Sequence, residues 1–324
     1  MRQGFDNAKY IELQAAHIKE RISQFGGKLY LEFGGKLFDD YHASRVLPGF
    51  EPDSKFRMLK SIADDVEVII AINANHIEKN KARGDLGITY DEDVLRLVDL
   101  FRGNGFAVAA VVITQYAGQP AADVFRNRPG SGKLATCLSQ LYHEHKHGTA
   151  AGYAKFETFP VWNLPLTHPV NIAYEAATAD LDDANIIDSF HLEAYNKTTV
   201  NYNRDVEAFP VVRALMEKIL GKSPYQSPTD MGVNMVGFAI TDDDACRDAS
   251  KMEIVRRYFT AVENVRRTGV GDEQVDRLKI IMKKAGIDKN YSPARSAALT
   301  REQLTGGPVG AMVMPDGSVV TGKT

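Results

Sequence analysis

Only two cysteines, Cys137 and Cys246, occur in 324 residues. Two thiols cannot build a disulfide framework, and a four-thiolate zinc site is excluded with it. Net charge is equally scarce: 39 Lys and Arg against 42 Asp and Glu leave −3 at pH 7, so no overall basic field draws nucleic acid. The adjacent pairs Arg256 with Arg257 and Lys283 with Lys284 sit among acids and read as solvated helix faces. Long apolar runs are missing too. Stretches such as 106–113 fall well short of the roughly 20 residues that span a bilayer. The opening Met1-Arg2-Gln3-Gly4-Phe5-Asp6 leads into a charged amphipathic pattern instead of the apolar core of a signal peptide. The expected compartment is cytoplasmic, with no nucleic-acid or membrane partner; homo-oligomerisation is left open.

What is present belongs to a folded chain. Hydrophobic residues make up 44% and charged residues 25%, a balance that supports a substantial core, and the length suits about two domains. The first half alternates periods. Ile11, Ile18, Ile22 and Phe25 share a helical face, stopped by Gly26 and Gly27; strand-like 28–33 follows. A helical stretch at 54–63 leads to 66–72, whose unbroken Val68-Ile69-Ile70 run suits a strand buried on both faces. Thr89 with Glu92 forms a capping box for a helix reaching Phe101, and 106–114 reads as a third buried strand. This order predicts an α/β fold with a mostly parallel sheet and flanking helices in the N-terminal half. Ligands then collect at the carboxyl ends of the strands, so 33–36, 73–76 and 114–119 are candidate loops.

The second half reads as a helix-rich α+β region. Helices are expected over 205–220, from Asp242 to Arg267, and over 273–285, with a strand or buried segment at 232–240. Asp316-Gly317 at the centre of 311–320 is a hairpin signal. The expected division is an α/β domain over 1–200, a helix-rich region over 201–305, and the opening of a truncated C-terminal domain over 306–324, since a lone hairpin is marginal in water.

The sharpest motif is Pro129-Gly130-Ser131-Gly132-Lys133-Leu134-Ala135-Thr136. Successive N–H groups of a glycine-rich turn entering a helix form an anion nest. Lys133 can reach phosphate oxygens, and Thr136 can donate to them or help hold Mg²⁺. Gly130, Ser131, Gly132, Lys133 and Thr136 are therefore the candidate ligand-binding residues. Measured against G-x-x-x-x-G-K-[ST], the first Gly is Asn127 and Leu134 follows the lysine. The polar run before the turn is also no buried strand. Either this is a chance turn, or a segment is missing between Arg128 and Pro129.

At this point a resemblance bears on the choice. LYLEFGGKLFDDYHASRVLPGFEPD (29–53), ARGDLGITYDEDVLRL (82–97), VVITQYAGQPAADVFRN (111–127), GYAKFETFPVWNLPLTHPVNIAYEAATADLDD (152–183), TTVNYNRDVEAFPV (198–211) and GKSPYQSPTDMGVNMVGFAITDDDA (221–245) resemble the uncharacterised bacterial family known as domain of unknown function 1846. The family carries only a loose label of ATP-dependent zinc protease. The resemblance implies an additional segment, with an apolar strand, before the PGSGK stretch, and a further α/β domain beyond the hairpin. With that strand restored, the phosphate-loop reading gains.

Other constellations are weaker. His143-Glu144-His145-Lys146-His147 satisfies H-E-x-x-H, so His143 and His147 could hold zinc with Glu144 as base. Favourable contact with the helix dipole explains the histidines equally, and a third ligand, Glu175 or His168, is a guess. Asp180, Asp182 and Asp183 offer a carboxylate for Mg²⁺, or merely a capped helix end. Arg204 suits bidentate phosphate recognition, or a structural ion pair. Trp162 and Cys137 read as packing residues. The leading functional expectation is an enzyme that binds a nucleotide, with Mg²⁺, or another small phosphorylated molecule; Lys133, Asp180 and Arg204 are its candidate catalytic residues. A zinc hydrolase on His143 and His147 is the disfavoured alternative, and a non-catalytic sensor of a phosphorylated ligand is the third.

Overall fold

A computed structural model describes residues 3–25, 29–33, 40–62, 66–73, 90–114, 133–181 and 183–323. Helix α1 (Asn7–Phe25) starts where the Asp6 carboxylate accepts the N–H of Lys9 at 2.9 Å, which satisfies a donor that the first turn leaves unpaired. Strands β1 (Leu29–Phe33), β2 (Val66–Asn73) and β3 (Ala107–Thr114) form a parallel sheet in the order β1-β2-β3. Val68 and Ile70 of β2 pack with Ala15 and Ile18 of α1, with Phe56 and Leu59 of α3 (Ser54–Lys60), and with Leu97 and Phe101 of α4 (Tyr90–Gly103). On its other face Ile69 and Ala71 are buried as well, as the unbroken apolar run of β2 requires.

The third strand departs from expectation. Residues of β3 alternate between exposed and half-buried, and Val111 and Ile113 are 43% and 54% exposed. Among the described residues no strand pairs with its far edge. Among the described residues one face of β3 is left exposed and the strand lies at the edge of the sheet, where 106–114 was expected to be buried.

The helix-rich body is centred on α9 (Asp243–Thr268), packed against α6 (Pro169–Ala177), α10 (Asp272–Lys284) and α2 (Tyr41–Val46). Ile172, Ala173, Ile254, Leu278 and Ile281 lie in its core. Asn171, fully buried, accepts from the N–H of Val161 at 2.7 Å and donates to its carbonyl at 3.1 Å. A buried amide is stable there because both ends are bonded. Residues 4–6 bind into this body: the Gly4 carbonyl accepts from Thr241 and Asp242, and Asp6 donates to Ala239. Gly49 (φ +108°) turns against this segment; a Cβ would stand 2.6 Å from the Phe5 carbonyl oxygen, so only glycine fits.

A smaller cluster, Phe209, Val212, Met216, Tyr225 and Met231, lies beneath α8 (Asn203–Leu220), with α5 (Lys133–Lys146) against it through Leu138. Short strands β4 (Lys155–Phe156), β5 (Asn185–Ile187), β6 (Val200–Tyr202) and β7 (Gly232–Val233) pair as β4 with β7, parallel, and β5 with β6, antiparallel. Helix α7 (Ser189–Tyr195) joins β5 to β6. The expected segment at 232–240 resolves into β7 and a 3₁₀ turn, Val236–Ala239. Helix α11 (Pro293–Thr305) buries no residue and leads into the antiparallel hairpin of β8 (Val309–Val313) and β9 (Val319–Lys323).

Candidate functional site

A cluster of partly and fully buried charged groups is built from β4, β6 and the first turn of α8. In the extended chain at 155–157, side chains alternate: Phe156 turns to the sheet core, while Lys155 and Glu157 turn the other way. Glu157 is anchored by its backbone N–H, which donates to the Val233 carbonyl at 3.0 Å. The Trp162 indole donates to its Oε2 at 3.2 Å. Gly232 is required beneath that indole, because a Cβ there would meet it at 2.6 Å.

The Lys155 ammonium lies 2.5 Å from Glu157 Oε1. It also donates to the Asp205 carboxylate and the Tyr202 hydroxyl, 4.2 Å from the centre of that ring. The Tyr202 hydroxyl donates in turn to Glu157 Oε1 at 3.1 Å. Burial pushes the Glu157 carboxyl above its ordinary range, and the nearby Asp205 charge adds to this; Lys155 opposes both without cancelling them. Burial alone would lower Lys155, yet the two carboxylates outweigh it and hold the ammonium charged. Tyr202 and Tyr174 are raised by burial first and by the Glu157 charge second. A carboxyl raised by burial beside a fixed ammonium and a phenol is an arrangement suited to proton transfer.

Aromatic contacts tie this cluster to a second one. Tyr174 lies 6.4 Å from Tyr202 and stacks on Phe159 at 5.7 Å, and the His42 ring meets Phe159 edge-on at 4.9 Å. His42 Nδ1 stands 3.9 Å from Glu253 Oε1; burial lowers the imidazole below its ordinary range. Glu253 itself accepts two hydrogen bonds from Arg256, at 2.6 and 2.8 Å, and lies 2.8 Å from Arg257 Nε. Asp40, the first described residue after β1, caps α2 and pairs with Lys55 at 2.5 Å.

The glycine turn lies only partly within this description. Gly130, Ser131 and Gly132, the Arg128–Pro129 junction, and nearly all of the loops at 33–36, 73–76 and 114–119 are outside the described residues. Lys133 is the first residue of α5 and exposed; Thr136, one turn later, is half-buried. Asp180 is exposed in the turn after α6. Arg204 pairs with the buried Asp183, with Nε at 2.6 Å and Nη2 donating at 2.7 Å. Lys133, Asp180 and Arg204 thus stand on three separate elements.

His143, edge-on to Tyr142, is exposed, and His147 falls in the turn after α5. The two guessed third ligands are committed elsewhere. His168 caps α6 and bonds Asp243 at 2.8 Å, while Glu175 holds Lys284 at 2.8 Å and the Asn185 N–H at 3.0 Å. Among the described residues no group of three His, Cys, Asp or Glu converges as metal ligands, and no helix is long and apolar enough to cross a membrane. Cys246 is buried against the Gly4 carbonyl, and burial pushes its thiol up to about 12.

Sequence reasoning singled out Arg204 and gave no role to Lys155, Glu157 or Tyr202. The available signal was the alternation Lys155-Phe156-Glu157, which sets two opposite charges on one side of a strand.

These features define a mixed α/β protein: a small parallel sheet joined to a helical body, with buried titratable groups beside it. The chain belongs to the family described as domain of unknown function DUF1846, N-terminal, whose model matches residues 3–128 and 127–286. Relatives called UPF0371 protein in *Streptococcus pneumoniae* serotype 19F (strain G54) and in strains 70585 and Hungary19A-6 are each 52% identical over 371 residues. Each match covers 99% of this chain and 75% of the relative.

Proposed function

We propose that the protein is an enzyme acting on a small phosphorylated molecule, a nucleotide or sugar phosphate, with Glu157, Lys155 and Tyr202 as its proton-transfer groups. The observation that carries this reading is the buried Glu157 carboxyl, raised by burial while held by an ammonium and a phenol. Perturbed titratable groups gathered in one place mark functional sites more often than packing alone produces them.

Phosphate is assigned to the turn of Gly130, Ser131, Gly132 and Lys133. Support comes from α5 starting at Lys133, because the N-terminus of a helix of that length carries the positive end of its dipole, which favours an anion. Further support comes from the relatives. Their match runs over 371 positions against 324 residues here, and the family model divides at 127–128. That pattern agrees with a further segment in the relatives just before the turn.

Calorimetric titration with ATP, ADP and glucose 6-phosphate, with and without Mg²⁺, tests the assignment. Lys133→Ala is expected to weaken the bound ligand by about 1.5–3 kcal/mol, the range for a hydrogen bond to a charged group, with the thermal midpoint unchanged. Equal affinity in the variant for every ligand that binds would sink the phosphate assignment. Release of product from the bound ligand separates an enzyme from a sensor.

A further inference from the structure

Away from that cluster, a groove of about 1080 Å³ runs between α9, α10 and α11, with the end of α6 at its base. We infer that it binds a large polyanionic small molecule, of the class of a dinucleotide or a nucleotide cofactor with phosphates at separated points.

Four arginines line the groove: Arg256, Arg257 and Arg267 from α9, and Arg295 from α11. Spacing along α9 explains how they come to face it. Positions 256, 260, 263 and 267 recur at four, three and four residues, which is one stripe of a helix. At 1.5 Å per residue, Arg256 and Arg267 are separated by about 16 Å along the axis, more than a single phosphate can bridge. The lining is mixed: Thr260, Asn264 and Gln274 stand beside the apolar Val255, Ala261 and Leu278. Phe259 also lines it, with the Arg295 guanidinium 5.2 Å from its ring centre. A mixed floor bounded by cations matches a ligand with flat rings and charged links.

The charge is not balanced from within. Glu263 is the one acid lining the groove, and its carboxylate is held by Arg266 at 2.8 Å. Glu253 serves both Arg256 and Arg257. Arg257 Nε is shielded from solvent and, although close to Glu253, is poorly aligned to donate to it. The groove therefore carries an excess of positive charge in a chain whose net charge is −3. A concave surface of one sign concentrates ligands of the other, and guanidinium forks match phosphate geometry. The volume stands at the upper end of small-molecule pockets, which run to about 1,000 Å³; this selects a ligand larger than a mononucleotide.

Calorimetric titration with coenzyme A, NAD⁺ and ADP, using inorganic phosphate as the control, decides the matter. Coenzyme A, whose 3′-phosphate stands apart from its diphosphate, is expected to bind more tightly than NAD⁺, ADP and phosphate. Arg267→Ala and Arg295→Ala should each weaken that binding by about tenfold or more, while Lys133→Ala leaves it unchanged. Arg267 is exposed, so its loss leaves the fold intact, and an unaltered thermal midpoint verifies this. The inference is overturned if neither large probe binds better than phosphate, or if both arginine variants bind as the parent does. Binding lost through Lys133→Ala alone would move the ligand to the turn before α5 and overturn it too. Tight binding of poly-glutamate with no binding of NAD⁺ or coenzyme A would make the groove a protein-docking surface, and is the remaining refutation.

Discussion

Glu253→Ala is expected to lower the stability of the folded chain by about 3–5 kcal/mol, the usual result of removing one partner from a buried charge cluster. The side chain of Glu253 is only 2% exposed, and it pairs with both Arg256 and Arg257 while facing His42. Arg256 can turn to water, but Arg257 is largely enclosed and would keep an unpaired charge. The same carboxylate sets an acid limit. Burial pushes it up, yet the Arg256 hydrogen bonds and the Arg257 charge more than reverse this and hold it at about 2, against 4.5 in water. A depressed pKa means that the stabilisation is complete above about 4.5 and disappears as pH falls through about 2. Each unit is worth about 1.4 kcal/mol, so the loss is about 3 kcal/mol. Urea denaturation between pH 6 and pH 2 should show this loss in the parent chain and not in Glu253→Gln. Parallel curves for the two proteins would refute the assignment.

Lys155→Met should destabilise by about 2–4 kcal/mol at pH 7, somewhat below the full buried range, because the Lys155 side chain is 29% exposed. The variant leaves Glu157 and Asp205 facing each other without their shared ammonium. Its pH dependence is the informative part. The Glu157 carboxyl is already raised in the parent chain, and removal of the lysine raises it further. A raised folded pKa means that stability is present at low pH and lost as pH climbs through that pKa. The gap between the variant and the parent should accordingly narrow as pH is lowered from 7 toward 5. A gap of constant size would show that the lysine acts by packing alone, and would remove the basis for Glu157 as a proton donor.

The parallel sheet was legible because its signals are local. An unbroken apolar run such as that of β2 has few alternatives, and the glycines at 103 and 105 mark the end of α4. The exposed face of β3 was not legible, since Val111 and Ile113 read as buried by composition and only their neighbours decide otherwise. The site divides in the same way. A glycine-rich turn announces itself in consecutive residues. The partners of Lys155 come from positions 157, 202 and 205, and no periodicity connects a two-residue strand to the start of a distant helix. Arg204 illustrates the converse: its charge was visible, but Asp183, 21 positions away, determines its use.

The binding of residues 4–6 and α1 to a distant part of the chain has a consequence for how the protein is made. Gln14 donates to the Val233 carbonyl and accepts from the Met235 N–H, across 219 and 221 positions of sequence, and the Gly4 carbonyl contacts Cys246 across 242. During synthesis these amino-terminal groups emerge first and must wait for more than two hundred further residues before their partners exist. Contacts this remote raise the contact order and slow folding. Tyr10 and Ile18 of the same helix meet Phe50 and Phe56 much sooner, so the apolar face of α1 can be covered while Gln14 and the Gly4 carbonyl still await residues 233–246.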